Sequence, residues 1–372
     1  MKRLIDDTLD AIAESGNLRR IPDGCAGNGL IDFTSNDYLG ISARTDLQRE
    51  FLAGLRDESD WLLGASASRL LAGRQKAFAD LEATLESAYG AGRRALVFNS
   101  GYHANTGLVP ALAPKGTFIV ADRLVHASII DGIRLSGAPF ARFRHNDVDH
   151  ARTLAAKAAA DGMRVLLIIE SVYSMDGDRA DIAAFAAVRE AVPDLTLYVD
   201  EAHAIGTEGP AGLGLASQSG AEVDVIVGTF GKALASAGAF AIVSPAMREY
   251  FVNTARSLIF STALPPLSAM WSRRAFELSL GMDSRRSHLK ALGRRLSDWL
   301  GTDTDSHIQA FMVGDPKKAV ALSQELRRRG LQVLPIRTPT VPPGTERLRL
   351  SLSAAMTEAD IDKLGHALKE LK

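Results

Sequence analysis

A single cysteine, Cys25, stands among the 372 residues, so no internal disulfide can form and the thiol suits a reducing compartment. No apolar run approaches the ~18 residues that a membrane span needs. The start, Met1-Lys-Arg-Leu-Ile-Asp-Asp, turns polar without the apolar stretch of a signal peptide. Charge of one sign is also missing: 43 Lys and Arg face 44 Asp and Glu, for a net charge of −1. That balance draws the chain neither to nucleic acid nor to an anionic membrane. A nucleotide-binding loop of the form G-x-x-x-x-G-K-[ST] is absent as well. The Gly231-Lys232 pair lacks both the earlier glycine and the following Ser or Thr, so Asp200-Glu-Ala-His203 does not read as the acidic box of a helicase. What remains is the expectation of a cytoplasmic protein. With 46% hydrophobic residues it can bury a sizeable core, as two domains or as one large domain with an appendage.

The informative stretches are Leu195-Thr-Leu-Tyr-Val-Asp200-Glu-Ala-His203 and Val223-Asp-Val-Ile-Val-Gly228-Thr-Phe-Gly-Lys232. Each is a short run of β-forming apolar residues that stops abruptly in polar ones, which reads as a buried strand delivering side chains at its C-terminal end. In open α/β sheets ligands bind at that end. An Asp at a strand tip is most often only a turn or helix cap. Asp200 and His203 at one tip with Lys232 at the next are more specific, because their chemistries complement one another. A lysine amine can condense with an aldehyde, a carboxylate can hold a proton on a pyridine nitrogen, and an imidazole can hydrogen-bond a ring hydroxyl. The set points to pyridoxal 5'-phosphate as cofactor and to no metal.

Taken in order, the chain predicts a helix from Asp6 to Arg20, ended by Gly16 or Pro22, and a strand from Leu30 into the turn Ser35-Asn36-Asp-Tyr-Leu-Gly40. Further helices are expected over Thr45–Leu55 and Gln75–Tyr89, the latter with Phe78, Leu81, Leu85 and Ala88 on one face. From Arg94, strands and helices alternate, the pattern of a largely parallel sheet. Ala95–Phe98 exits into Ser100-Gly101-Tyr102, where a helix N-terminus can hold a phosphate. Thr117–Ala121 leads to His126-Ala-Ser128, and Val165–Ile169 leads to Glu170-Ser-Val-Tyr-Ser174. With the two strands above, five strand tips carry polar residues to one sheet edge. A strand over Ala237–Val243, a helix over Met247–Ser257 and a long helix ending near Leu280 follow. The boundaries are placed at 1–40 for an N-terminal segment, 41–284 for a large domain and 285–372 for a smaller α+β domain.

These motifs together resemble the α-oxoamine synthases, pyridoxal-phosphate enzymes that join an amino acid to an acyl thioester with loss of carbon dioxide. The resemblance covers nearly the whole chain and rests on Ser35–Gly40, Ser100–Asn105, His126–Ser128, Ser174–Gly177, Val199–His203, Thr229–Lys232 and Phe260-Ser261-Thr262. It implies the aspartate-aminotransferase-like α/β fold, a large mostly parallel sheet flanked by helices with a smaller C-terminal domain. The run Ile336–Leu350 is most similar to the member of biotin synthesis that takes L-alanine and a pimeloyl thioester, on coenzyme A or on an acyl-carrier protein. A sister activity with glycine and acetyl-CoA, and a non-catalytic scaffold of the same fold, are the alternatives.

Carried over residue by residue, the resemblance makes Lys232 the lysine that bonds the cofactor and moves a proton at the substrate α-carbon. Asp200 would pair with the ring nitrogen, His203 with the ring oxygen, and His126 would stack on the ring and face substrate. Gly101 and Tyr102 would offer backbone groups, Ser174 and Thr229 hydroxyls. Ser261 or Thr262 would reach the phosphate of a neighbouring subunit, implying a homodimer with shared sites. Arg349 would hold the substrate carboxylate, Asn36 and Thr340 would line the substrate site, and Arg19 or Arg20 would contact the acyl group. The chain departs from the family pattern at Ala65, Ala67, Phe78 and Met356, none of them in a chemical role.

Overall fold

The computed structural model describes residues 1–19, 21, 29–55, 61–71 and 75–371. Pro22, Cys25 and Arg20 lie outside these. The chain separates into two compact units: one comprises Leu39–Ser174 and Asp178–Arg286, the other Met1–Tyr38, Met175–Gly177 and Ser287–Lys372.

The larger unit is built on a sheet of seven strands. From one edge to the other they are Arg94–Phe98, Ala239–Val243, Val225–Thr229, Thr196–Asp200, Arg164–Glu170, Thr117–Asp122 and Phe140–Phe143. All neighbours pair in parallel except at Ala239–Val243, which runs antiparallel to both of its partners. The sheet is therefore largely parallel, as the pattern predicts, with one reversed strand. The exception was not readable, because Ala239-Phe-Ala-Ile-Val243 is buried on both faces like its parallel neighbours, and strands covered on both sides lose their alternation whatever their direction.

Residues alternate between two cores. Val97, Val120, Leu167, Ile169, Leu197, Val199 and Ile226 pack on one face of the sheet. Leu96, Ile119, Ala121, Leu166, Ile168, Tyr198, Val225 and Val227 pack on the other. This is the period-2 consequence of the pleat, and helices cover both faces as parallel strands require. Gly101–Leu112 and Ala127–Ser136 lie on the second face and touch closely: a methyl built on Gly132 would come within 2.8 Å of the Asn105 carbonyl oxygen and 3.0 Å of Val109 Cβ. Only hydrogen fits there.

Local chemistry sets the element ends. Ser100 Oγ accepts the His103 N–H to start Gly101–Leu112, and Gly137, in the left-handed region at φ 66°, stops Ala127–Ser136. The helix expected over Met247–Ser257 is two, Pro245–Thr254 and Arg256–Ile259. Ser244 caps the first, with Pro245 at its opening position, and Ala255 leaves helical geometry between them.

In the smaller unit a helix spans Lys2–Glu14, earlier than expected, and Gly16 turns the chain at φ 75°. Ile31–Asp32 pairs in parallel with Leu331–Gln332. Leu334–Ile336, Arg347–Ser351 and Ile308–Met312 form an antiparallel sheet, accompanied by Pro316–Arg328 and Glu358–Leu371.

Candidate active site

The C-terminal tips of the parallel strands come to one edge of the large unit's sheet, and a cavity opens there. Its walls are Gly101, Tyr102, Asn105, His126, Ser128, Glu170, Asp200, Ala202, His203, Thr229 and Lys232. Seven of the residues named from the sequence are in that set. Ser174, Ser261 and Thr262 are not part of the wall; Ser261 Oγ and the Thr262 carbonyl oxygen both take hydrogen bonds from Asn99 Nδ2.

Asp200 ends its strand 95% buried. Its carboxyl accepts the Ala202 N–H at 2.9 Å and Asn105 Nδ2 at 2.8 Å, so one oxygen is fixed by the backbone and the other by a side chain. Asn105 sits one helical turn beyond Gly101, on the same face. Its amide also donates to Ser128 Oγ at 2.9 Å, while its Oδ1 accepts from Tyr198 O–H at 2.6 Å. Tyr198 is fully buried, and burial pushes its phenol well above the ordinary range, so the hydroxyl stays a donor.

Lys232 lies in the turn after Val225–Thr229. Phe230 and Ser236 close that turn through backbone bonds to Gly238 and Phe230, and Thr229 Oγ1 takes the Gly231 N–H and donates to the Gly238 carbonyl. The Lys232 Nζ is thus delivered 2.8 Å from His203 Nε2. His126 caps the helix Ala127–Ser136, its ring nitrogen Nδ1 accepting the Ser128 N–H. Burial, opposed by Asp200, lowers the His126 imidazole below its usual value, so the ring facing the cavity is neutral at pH 7.

Glu170 and Asn105 carry no assigned role in the sequence, although both stand inside quoted motifs. Their signal was positional. Glu170 ends its strand in register with Asp200, but strand pairing is not written in one sequence.

Behind this wall is a second charged cluster. His145 Nδ1 is 3.0 Å from Asp122 Oδ1 and its Nε2 is 2.7 Å from Asp178 Oδ2. Burial alone would push this imidazole down; the bonds to the two carboxylates outweigh it and raise the pKa to about 9.

In the smaller unit Arg349, 4% exposed, donates to Tyr38 Oη at 3.3 Å, and Tyr38 in turn donates to Asn36 Oδ1 at 3.0 Å. Arg19 donates to Thr340 Oγ1 at 2.8 Å. Asn36 with Arg349 and Arg19 with Thr340 are therefore two local pairs; Arg20 is outside the described residues.

The donor set fits pyridoxal phosphate. A helix N-terminus at Gly101 and Tyr102 suits a phosphate. A methyl built on Gly101 would meet nothing within 4 Å, so there is open space before that terminus. The buried carboxyl of Asp200 suits a ring nitrogen, and the Lys232 amine suits an aldehyde.

Fold and site together define a pyridoxal-phosphate-dependent transferase. The sequence matches the model of aminotransferase class I and II over residues 28–368, and the chain belongs to that family. It is 43% identical over 356 residues to 8-amino-7-oxononanoate synthase of Chlorobaculum parvum, covering 93% of this chain and 90% of the relative. Among solved structures it is similar to a serine palmitoyltransferase variant of S. paucimobilis with bound PLP, at a TM-score of 0.86 and 29% identity over 99% of this chain and 96% of the other. It is also similar to 8-amino-7-oxononanoate synthase of Francisella tularensis, at a TM-score of 0.76 and 25% identity over 93% and 97%. Within the family the chain belongs with the 8-amino-7-oxononanoate synthases, acyltransferases of biotin synthesis. No helix among the described residues is long and apolar enough to cross a membrane.

Proposed function

We propose that the chain joins L-alanine to a pimeloyl thioester, carried on coenzyme A or on a carrier protein, releasing carbon dioxide and the free thiol. The observation that carries this reading is the convergence of Lys232, His203, Asp200 and His126 on one cavity, in a chain 43% identical over 356 residues to a synthase of this kind. When bound, pyridoxal phosphate supplies an aldehyde that captures an amine and a ring that accepts an electron pair from the carbon beside it.

The chain's residues then have separate tasks. Asp200, gripped by Asn105 and the Ala202 N–H, holds a proton on the ring nitrogen. The first N–H groups of the helix at Gly101 and Tyr102 bind the phosphate with the positive end of the helix dipole, and Thr229, its hydroxyl donating to the Gly238 carbonyl, borders the same cavity. His203 fixes the ring oxygen. The neutral His126 ring offers a flat face without placing a second cation beside Lys232. The Lys232 amine removes the proton from the alanine α-carbon and returns one to product, a general-base and general-acid role. Arg349 is assigned the substrate carboxylate, whose fixed direction selects the bond that breaks. Asn36, Thr340 and Arg19 or Arg20 are assigned to the substrates. Ser174 adds a hydroxyl, and Ser261 or Thr262 serves the phosphate of a second copy, which makes the working form a homodimer. The single cysteine of the sequence supports a cytoplasmic setting.

The test is thiol release by the pyridoxal-loaded protein. Release with L-alanine and pimeloyl-CoA, and little with glycine and acetyl-CoA, is the expected result. Turnover of glycine with acetyl-CoA alone would overturn the substrate assignment while leaving the cofactor assignment standing.

A further inference from the structure

Two carboxyls end neighbouring parallel strands at the cavity. Glu170 and Asp200 are register partners, so both side chains leave the same face of the sheet, and both line the wall. Their surroundings differ. Asp200 has a hydrogen-bond donor on each oxygen. Glu170 is 3% exposed, and its Oε1 accepts the backbone N–H of His126 in a short bond. Among the described residues its Oε2 makes no hydrogen bond, and the residue lines the cavity.

We propose that Glu170 is a positioning residue of the cofactor pocket that works as a neutral carboxylic acid: one oxygen pins the His126 backbone and thereby its ring, and the other presents an O–H to the bound group. The physical ground is that two buried carboxyls side by side cannot both ionise cheaply, and the one with fewer donors keeps the proton. Burial and then the neighbouring Asp200 push the Glu170 carboxyl well above the usual range, against the opposing pull of Lys232 and the His126 N–H, with Asp122 adding to the rise. Tyr173 completes the surroundings, its hydroxyl accepting the Glu170 N–H at 3.4 Å. Function gains from this arrangement. A second anion beside Lys232 would stabilise its ammonium form, whereas a neutral Glu170 leaves the amine free to act as a base.

The inference rests on the cavity being the cofactor site and not on the identity of the acyl substrate. Its test reads the proton directly. In the Glu170→Gln protein the amide reproduces both the acceptor and the donor of a carboxylic acid. It should fold, hold pyridoxal phosphate, and keep the pH midpoint of the cofactor's visible absorbance within about 0.3 unit of wild type. An ionised Glu170 would instead show as a downward shift of about one unit or more on removal of its charge. Such a shift, or a Glu170→Gln protein that neither folds nor binds cofactor, overturns the proposal. Glu170→Ala should bind the cofactor about tenfold more weakly, and Glu170→Gln should restore the loss. A second measurement needs neither Glu170 variant nor cofactor. Among the described residues Glu201 is the other buried carboxyl pushed upward, to about 7, so a Glu201→Gln background isolates Glu170. Infrared spectra of that protein at neutral pH should contain a carboxylic-acid C=O stretch that moves in D2O, and its absence overturns the proposal.

Discussion

Asn105→Ala is the substitution whose cost the structure specifies best. The side chain is 1% exposed and ties its helix to a strand and a second helix: to Asp200 at 2.8 Å and Tyr198 at 2.6 Å on the strand, and to Ser128 at 2.9 Å on the helix. Removing it deletes a hydrogen bond to a carboxyl of the kind that contributes about 1.5–3 kcal/mol when the partner is charged, and strands the buried Tyr198 hydroxyl at about 1–3 kcal/mol. Alanine also leaves a small void between packed helices. We expect a loss of roughly 3–5 kcal/mol in urea unfolding of the cofactor-free protein at fixed concentration. Tyr198→Phe keeps the Asp200 contact and leaves only the Asn105 Oδ1 acceptor unpaired, which should cost about 1–3 kcal/mol. Cofactor affinity should separate the two further, because Asp200 loses its side-chain anchor only in Asn105→Ala; each tenfold rise in Kd reports about 1.4 kcal/mol. If Asn105→Ala costs no more than Tyr198→Phe, the amide does not organise the site and the reasoning fails.

Other outcomes follow from the same geometry. Gly132→Ala should destabilise by about 1–3 kcal/mol, since its methyl would press on the Asn105 carbonyl and Val109; unchanged thermal unfolding would contradict the close helix contact. Stability should fall as pH rises, with Glu201 and His145 each adding a step beside the contribution of the raised Glu170. Burial raises Glu201 from 4.5 to about 7, so the folded chain keeps a proton the unfolded chain has lost, and stability declines between those values. His145 is raised from 6.5 to about 9, so its ion pairs stabilise fully below 6.5 and the contribution disappears as pH passes through 9. Melting temperatures measured across this range should decline less steeply between 4.5 and about 7 in Glu201→Gln and should lose the step near 9 in His145→Gln. Arg349→Lys should lower kcat/KM while leaving cofactor affinity unchanged, because an ammonium cannot reproduce the planar two-point grip of a guanidinium on a carboxylate; an equal loss of cofactor would remove the substrate role.

The strand tips were legible because buried strands declare themselves by abrupt polar exits, and Asp200, His203, Lys232 and His126 each stand at or just beyond one. His126 also shows why single positions read ambiguously: its nitrogen caps a helix and its ring lines the cavity, so the plain and the chemical reading coexist. What sequence could not supply was pairing. The register that sets Glu170 beside Asp200 and the meeting of Asn105 with Tyr198 depend on which strand and helix are neighbours, and that is decided by the whole packed unit. The direction of Ala239–Val243 was hidden for the same reason, since a strand buried on both faces looks alike either way. The departures at Ala65 and Ala67 flank Ser66, which takes a positive φ of 62°; a serine occupies there the backbone region that glycine enters most easily. Phe78, another departure, is 2% exposed with the Arg69 guanidinium 4.4 Å from its ring, a packing role consistent with its helical face.

The measurement that bears most directly on the account is covalent capture of the cofactor. Borohydride treatment of the pyridoxal-loaded protein, followed by proteolysis and peptide mass analysis, should place one pyridoxyl group per chain on the peptide containing Lys232, and none in Lys232→Met. A label on any other lysine, or its persistence in Lys232→Met, would contradict the assignment of this cavity and of the chemistry built on it.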